Sequence, residues 1–346
     1  MMSRHPQVLY SLIMLVILIA PLSLSAISQS SLLYLTFEPG ARANGMARAF
    51  TAVVDDAYAG WWNPGAIAFN RKTQLAATHM PWLQNSGMND MFHEYLAWNQ
   101  YFDGIGNLGA NIVWMDEGTQ MEMDENGIEV GEFHTFEMAF AATYGYELIP
   151  RKLGLGANFK LIYSYLGPGQ GNTDTEGKSF GFAFDLGSKF QDIAGIPGLQ
   201  AAAVLQNVGP DITYVNDSQS DPLPMTLRVG AAYKALDNPM NRLTVSAEAS
   251  KILANEDPLL QRFVTGFEHI EETILSAGAE YTYLDLISLR GGYYYDQAGK
   301  VTGPGFGVGF QYSFNQKYQL NADFGMIWGG ELTNDYNKVF SLGFEF

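Results

Sequence analysis

The side chains that could carry chemistry are few and far apart in this chain. Four histidines follow residue 30, and none has a serine or an acid at a spacing typical of a catalytic triad; they are His79, His93, His134 and His269. Glu122, Asp124 and Asn126 have the alternating spacing of a calcium loop, but its twelfth position is Phe133, where such a loop carries Glu. The sequence therefore predicts no enzyme, no metal site and no cofactor.

Charged and aromatic residues are instead gathered between Gly40 and Phe69, in the stretch GARANGMARAFTAVVDDAYAGWWNPGAIAF. Small residues from Ala47 to Val53 recur at nearly helical spacing, which predicts a compact helix. The Asn-Pro-Gly sequence would stop a helix and turn the chain. We expect this segment to pair its charges with a surrounding wall and to fill space with its tryptophans, through Arg42, Gly45, Met46, Asp55, Asp56, Trp61, Trp62, Asn63 and Pro64.

The elements that would surround this segment are strands. From Leu153 to Tyr165, and again from Phe180 to Leu186, large apolar side chains alternate with small or polar ones. About fourteen such segments occur, starting near residues 72, 91, 105, 134, 152, 178, 199, 224, 242, 273, 286, 304, 318 and 337. This pattern predicts an all-β fold, a transmembrane antiparallel β-barrel of about 14 strands with a short helical N-terminal plug.

A soluble sandwich with one buried face has the same period, so other features must distinguish the two folds. The apolar faces are rich in aromatic residues near the strand ends, where lipid headgroups would lie. The opposite faces are small or polar with single charges such as Lys160, Arg228 and Glu248. Charged residues make up only 16% of the chain, below the roughly 25% usual for soluble proteins. These features favour the membrane barrel.

The first residues predict export. Arg4 precedes an apolar run from Val8 to Ala20, and small residues lead to a cleavage position at Ala26. We therefore expect a signal peptide (1–26), a plug segment (27–70) and a barrel (71–346), with both termini on the periplasmic side of the outer membrane of a diderm bacterium. The chain has no cysteine. Its formal charge of −17 argues against nucleic acid as a partner. The partner expected for a barrel of this kind is outer-membrane lipid.

Long polar connections alternate with short ones, as outer loops and periplasmic turns do in such barrels. Three long connections, 80–90, 116–133 and 252–272, are candidate binding loops. The second predicts an acidic β-ribbon with a type I′ turn at Asn126-Gly127, and the third a short amphipathic helix between Pro258 and Glu271. The candidate partner or ligand contacts are Met80, Trp82, Leu83, Asn126, Gly127, Leu259 and Phe263.

The stretch LTFEPGARANGMARAFTAVVDDAYAGWWNPGAIAF resembles the N-terminal signature of the PorV/PorQ family, relatives of the FadL long-chain fatty-acid channels. The similarity continues through HMPWL, EFHTFEMAFAATYGYEL, LGLGANFKLIYSYLGPG and PLPMTLRVGAAY, over most of the mature chain. Two positions depart from the family pattern. Ala47 stands where the second Gly of Gly-Met-Gly is usual, and Gly65-Ala66 reverses the usual Ala-Gly. The resemblance implies a FadL-like fourteen-stranded barrel with an N-terminal plug.

The resemblance also implies a role in type IX protein secretion. In that role a non-enzymatic barrel binds cargo C-terminal signal domains, the translocon and the sortase complex through its outer loops. The alternative is a FadL-like channel for long-chain fatty acids or other hydrophobic small molecules, which leave when the plug shifts. Composition and periodicity leave both functions open, because each needs a plugged barrel with elaborate outer loops.

Overall fold

The computed structural model describes residues 30–83, 90–124, 127–168, 176–214, 220–315, 317–330 and 334–346. Its strands are β1 (Gln74–Pro81), β2 (Phe92–Phe102), β3 (Gly106–Met123), β4 (Glu129–Ile149), β5 (Leu153–Gly167), β6 (Gly177–Gln191), β7 (Leu199–Val208), β8 (Ile212–Thr213), β9 (Ser220–Asp221), β10 (Thr226–Asp237), β11 (Asn241–Ile252), β12 (Ile274–Tyr283), β13 (Ile287–Asp296), β14 (Val301–Phe314), β15 (Tyr318–Trp328) and β16 (Tyr336–Glu345). Short helices are α1 (Ala41–Gly45), α2 (Ala59–Trp62) and α3 (Arg262–Thr265), with 3₁₀ turns at Leu33–Thr36, Ala66–Phe69, Ile193–Gly195 and Ile270–Glu272.

Fourteen strands close into one antiparallel barrel, which confirms the predicted fold class and strand number. Neighbours in the wall follow chain order except that β10 pairs with β7, because β8 and β9 leave the wall as a separate two-stranded sheet. The barrel is sealed by pairing of β1 with β16, the first and last strands. Closure satisfies the edge backbone groups that a bilayer could not hydrogen-bond.

The wall has the alternation expected of a membrane barrel. On β6, Phe182 and Leu186 are 43% and 56% exposed on the outside, whereas Ala183 and Asp185 are fully buried in the lumen. Stacked aromatic pairs lie near both ends of the wall, with Trp114 on Phe136 toward the long connections and Tyr318 on Phe344 toward the short turns. No helix in the described part of the chain is long and apolar enough to cross a membrane.

The connection between β3 and β4 forms the predicted ribbon. These strands continue to pair beyond their neighbours, through Gln120 with Phe133 and Glu122 with Gly131. For this reason β4 begins before the predicted residue 134. Gly127 donates its N–H to the Asp124 carbonyl oxygen (2.9 Å), so it is the fourth residue of the turn and not the third, as an Asn126-Gly127 turn requires. Asn126 lies outside the described residues.

Residues 30–73 thread through the barrel. Ser31 donates its backbone N–H to Pro222 at the long-connection end, and Thr73 bonds with Phe346 at the short-turn end. The two described ends of the chain therefore lie at opposite ends of the lumen, and not on one side as expected. In between, α1 packs against β14, β15 and β16, α2 packs against β3, and the Ala66–Phe69 turn packs against β3, β4 and β5.

The helix predicted from Ala47 to Val53 is wrong. α1 occurs earlier and ends at Gly45, and the backbone then takes left-handed angles at Ala47 (φ 50°) and Arg48 (φ 68°). Two left-handed residues cannot continue a right-handed helix. The Arg48 N–H instead returns to the Ala43 carbonyl oxygen at 2.9 Å, which reverses the chain inside the narrow lumen.

Candidate functional site

Arg42 lies at the centre of a charge cluster near the short-turn end of the lumen. Its guanidinium is 2.8 Å from Glu280 on β12, 2.6 Å from Asp55 and 3.1 Å from Asp56. Arg290 on β13 binds Glu280 from the other side at 2.6 Å. Glu280 therefore ties α1 to the wall, and the adjacent carboxylates Asp55 and Asp56 join α1 to a later part of the plug.

The pKa of Asp56 responds to this environment. Burial of its carboxyl group, together with the neighbouring charge of Asp55, raises the pKa of Asp56 to about 6, although Arg42 opposes the shift. The carboxyl group also accepts the Tyr58 backbone N–H at 3.0 Å. Asp56 is thus the plug carboxyl group whose charge changes just below neutral pH.

A second and more deeply buried charge cluster lies around Arg228 on β10. Its guanidinium is 2.9 Å from Glu38 of the plug and 3.1 Å from Glu248 on β11. Arg48 of the plug binds Glu38 at 3.2 Å. Sequence reasoning identified Arg228 and Glu248 as lumen charges but did not find their plug partner. Breaking such a buried pair leaves a charge without compensation, so the cluster fixes the plug strongly.

The two plug tryptophans pack against this cluster. The Arg228 guanidinium lies over the rings of Trp61 and Trp62, at 5.2 and 5.1 Å from their centroids. Trp62 donates its indole N–H to the Pro39 carbonyl oxygen at 2.9 Å, and Gln206 donates to the Trp61 carbonyl oxygen at 2.7 Å. Both aromatic rings are fully buried. They fill the middle of the lumen, as their size predicted.

Lumen side chains also bind plug backbone that lies outside helices. Glu248 accepts the N–H groups of Phe50 (3.0 Å) and Thr51 (2.8 Å), and Lys189 on β6 donates to the Val54 carbonyl oxygen at 2.7 Å. Because buried backbone groups need partners, these contacts compensate for the missing helical bonds. The wall is therefore built to receive an irregular chain.

Wall glycines bring the plug backbone into direct contact with the strands. A β-carbon at Gly278 would stand 2.3 Å from the Met46 carbonyl oxygen, and one at Gly156 would stand 2.0 Å from the Pro64 carbonyl oxygen. In the plug itself, a β-carbon at Gly45 would lie 2.9 Å from Gly307 Cα. Larger residues at these positions would push the plug away from the wall.

Asn63 organises the end of α2. Its amide group donates to the carbonyl oxygens of Thr51 and Ser188, both at 3.1 Å, and its side-chain oxygen accepts the Gly65 N–H at 2.9 Å. The unpredicted helix α2 ends at Trp62, directly before this residue. The following residues then turn to the wall at Gly156.

Ala47 occupies a position where glycine would be easier. Its φ of 50° lies in the left-handed region, which favours glycine. Ala47 also departs from the family pattern at this place, where a Gly is usual. The tight turn forms nevertheless, because Met46 and Ala47 are held between wall glycines and the buried Tyr294.

The plug also spans the pairing between the first and last strands. Ala41 donates its backbone N–H to Ser341 Oγ on β16 at 2.8 Å, and the Tyr58 hydroxyl lies 2.7 Å from Thr78 Oγ1 on β1. Thr78 and Ser341 bond to each other across the two strands at 3.0 Å. Both halves of the plug therefore contact the place where the barrel closes.

The candidate residues of the 80–90 connection cover the plug. Trp82 stacks on Phe37 of the plug with ring centroids 4.3 Å apart. Met80 is 3% exposed and belongs to the same apolar cluster, and Leu83 is half-buried. The structure thus brings Met80 and Trp82 together with the plug and does not leave them free for a partner.

The 252–272 connection forms the predicted short helix, reduced to α3 and one 3₁₀ turn. Buried Arg262 anchors it by binding Asp211 at 2.7 Å. Leu259 is half-buried and Phe263 is exposed. Sequence reasoning missed the two most exposed apolar side chains here, Leu260 at 81% and Val264 at 75%. Their four-residue spacing is the signal that could have found them.

The ribbon candidate and the short-turn end complete the site. Gly127 is exposed at the ribbon turn. At the short-turn end, two chambers of about 320 and 450 Å³ share Arg42 and Asp55 in their linings. Lys234 also lines both chambers, and Lys189 lines the larger one, so charged side chains face both. Within the described residues, no group of three His, Asp or Glu side chains could hold a metal ion.

Comparisons with known proteins agree with this architecture. No curated protein matches the chain in sequence. Among solved structures, the toluene transporter TodX of P. putida has 12% identity and a TM-score of 0.53, and TbuX of Ralstonia pickettii has 14% and 0.55. A Pseudomonas aeruginosa FadL homologue has 10% and 0.50. Each comparison covers 89% of this chain and 98% of the other.

At such low identity these structures show a shared fold and nothing about ligands. A protein-family model is more specific. The model described as "Type IX secretion system protein PorV" matches residues 25–259, which is more than half of the chain. The match includes the plug and the strands that hold the Arg228 cluster. The chain belongs to the PorV family of type IX secretion system proteins.

Proposed function

We propose that this outer-membrane barrel is a non-enzymatic component of type IX secretion. It binds cargo C-terminal signal domains, the translocon and the sortase complex through its outer loops. Residues 1–26 are its signal peptide, 27–70 its plug and 71–346 its barrel. The short turns, with the carboxyl terminus, face the periplasm. Membership in the PorV family supports the secretion role, and the geometry of the lumen supports the use of the loops.

The observation that carries the proposal is the fixed plug. Arg228 and Glu38 form a buried ion pair between wall and plug, and Arg42 joins the plug to Glu280. Met46 and Pro64 press directly on wall glycines. A lumen filled in this way offers no wide path, so the exposed loops are the surface on which partners bind.

The loops have the properties that a binding surface needs. The ribbon rises beyond the barrel wall and exposes Met121 and Ile128, at 60% and 61%. The 252–272 connection exposes Leu260 and Val264. Clusters of exposed apolar side chains often mark the places where a protein contacts its partners.

Cross-linking and affinity purification from the native outer membrane test the proposal. We expect the tagged protein to co-purify with a large translocon barrel and with cargo signal domains. Leu260→Glu with Val264→Glu should reduce this recovery, whereas Met240→Glu, at an exposed apolar residue of a short turn, should not. Bound lipid without any protein partner would overturn the proposal.

A FadL-like uptake channel is the second candidate. It is supported by the fold shared with the toluene transporters TodX and TbuX and by the apolar contact of Phe37 with Trp82 at the outer end of the lumen. The polar chambers around Arg42 disfavour it, because a hydrophobic molecule would meet charges before it reached the periplasm. Uptake of labelled fatty acid into cells with and without the protein distinguishes the two functions.

A further inference from the structure

Among the described residues, the outer part of the β3–β4 ribbon is paired with no strand of the barrel wall on the β3 side. β2 pairs with β3 only as far as Asp116, which lies opposite Phe92. On the other side of the ribbon, β5 pairs with β4 only as far as Tyr165, which lies opposite Phe136. From Thr119 to Met123, β3 is paired with β4 alone in the described part of the chain. A strand paired on one side presents a row of backbone donors and acceptors to any neighbour that approaches.

One contact shows that the outer edge of β3 accepts a partner. The Asp90 carboxylate receives the Thr119 backbone N–H at 2.9 Å. Because backbone direction alternates along a strand, Met121 and Met123 turn their backbone groups toward the same edge as Thr119. By the same alternation, Gln120 and Glu122 turn their backbone groups toward β4. Beyond Asp90, the edge offers the backbone groups of Met121 and Met123 to a further strand.

The side chains of the ribbon are exposed and apolar to an unusual degree. Four apolar side chains lie beyond the paired wall of the barrel and are about half exposed or more: Met121 (60%), Met123 (48%), Ile128 (61%) and Val130 (58%). Methionine is common on surfaces that bind varied partners, because its flexible side chain adapts to different shapes. The ribbon therefore has both the backbone edge and the side chains of a strand-binding surface.

The charge of the ribbon identifies its partner. Acidic side chains lie between the apolar ones, at Glu122, Asp124, Glu129 and Glu132. No lysine or arginine occurs from residue 73 to residue 150, so nothing basic in the first loops offsets them. An approaching strand with basic side chains would gain attraction, and an acidic one would be repelled.

We propose that the ribbon binds an extended segment of a partner protein, in which apolar and basic side chains alternate, as a third strand on the Thr119–Met123 edge of β3. The backbone bonds give the segment its direction, and the exposed methionines and acidic residues select its side chains. This inference rests on the proposed function, since it gives one of the partner-binding loops its mode of recognition.

A labelled synthetic peptide of about ten residues, with lysine and valine alternating, is the probe, and its binding to the purified full-length protein in detergent is measured by fluorescence anisotropy. Met121→Pro removes the outward N–H but no bond to β4, so the barrel should fold and the affinity should fall about tenfold. Met121→Val keeps the N–H and should bind as the wild type does. Equal affinity of the proline and valine variants would overturn strand addition.

Charge is tested with a matched pair of double variants. Glu122→Gln with Glu129→Gln should weaken peptide binding and reduce its dependence on salt. Glu256→Gln with Glu268→Gln removes the same charge from exposed positions of another outer loop and should change neither. Equal effects of the two pairs would show adhesion to a generally acidic surface and would contradict the proposal.

Cross-linking gives an answer that does not depend on the proline variant. The chain has no cysteine, so Met123→Cys supplies a single thiol at the edge. The probe peptide, with one terminal cysteine activated as a 2-thiopyridyl disulfide, should exchange with the thiolate of Met123→Cys and release 2-thiopyridone much faster than it does with Val264→Cys on the 252–272 connection. Equal rates would overturn the proposal, and if the translocon still co-purified with the protein, the proposed function would remain.

Discussion

Arg228 on the barrel wall and Glu38 on the plug lie 2.9 Å apart, with 4% and 8% of their side chains exposed. Arg228 binds Glu248 at the same time, and Arg48 binds Glu38. Each charge is thus compensated by a partner in a buried part of the lumen. Plug and wall residues therefore form a single network of ion pairs.

Replacing Arg228 with methionine should destabilise the protein severely. Glu38 and Glu248 would remain buried near each other with reduced compensation, at a cost of about 3–5 kcal/mol. The midpoint of urea unfolding in lipid vesicles measures the effect. Arg242→Met breaks an exposed pair with Asp285 (2.8 Å) and should cost less than about 1 kcal/mol. Similar midpoints for the two variants would show that burial of the Arg228 cluster does not matter.

Gly278→Val should displace the plug without removing any charge. Its β-carbon would stand 2.3 Å from the Met46 carbonyl oxygen, whereas a β-carbon at Gly291 would meet nothing within 4 Å. We expect Gly278→Val to raise conductance in planar bilayers and Gly291→Val to leave it unchanged. Low conductance in both variants would mean that the plug tolerates a shift from this wall contact.

Deleting residues 31–68 should leave an inserted barrel with raised passive conductance. The fourteen wall strands pair with each other, and the deletion removes none of their backbone bonds. It does empty the space now filled by Trp61 and Trp62. Single-channel recording in planar bilayers measures the opening, and heat-modified migration in gels reports barrel formation. An inserted barrel of unchanged conductance would show that this segment does not close the lumen.

Stability should depend on pH through Asp56. Its pKa is about 6 in the folded protein and near 3.9 in an unfolded chain, so the folded state binds the proton more tightly. This contribution is complete below about pH 4 and is lost as the pH rises through about 6. Asp56→Asn should therefore reduce the loss of stability between pH 5 and pH 7.5, by on the order of 1 kcal/mol.

Urea unfolding of both proteins at the two pH values measures this difference. The wild type should lose more stability than Asp56→Asn as the pH rises. The same pH dependence in the two proteins would show that Asp56 ionises in the folded state as it does in water.

The wall could be predicted from the sequence because each strand pairs locally and faces lipid on one side. From Phe180 to Leu186, large apolar side chains alternate with small or polar ones. This period of two shows which face of the strand meets lipid, without reference to the rest of the chain. The plug gave no such signal. Its backbone is shaped by contacts with distant strands, such as Met46 against Gly278, and spacing within the segment therefore predicted a helix that does not exist.

The candidate site was predicted in part for the same reason. Arg228 and Glu248 were recognisable as isolated charges on small, polar strand faces, and they do face the lumen. Their partner Glu38 is far away in sequence and precedes the Gly40–Phe69 stretch, in which the charges were expected to pair with the wall. Trp82 was expected in an open loop, but it stacks on Phe37, a contact that only the threaded plug creates.

The contacts of Ala41 with Ser341 and of Tyr58 with Thr78 concern the first and last strands of the barrel. During biogenesis these strands are the last to meet, since every other pair can form earlier along the chain. Because the plug bonds to both of these strands, its presence in the lumen would favour their pairing. We therefore expect membrane assembly to end in one concerted event, in which the two strands pair around a segment already in place.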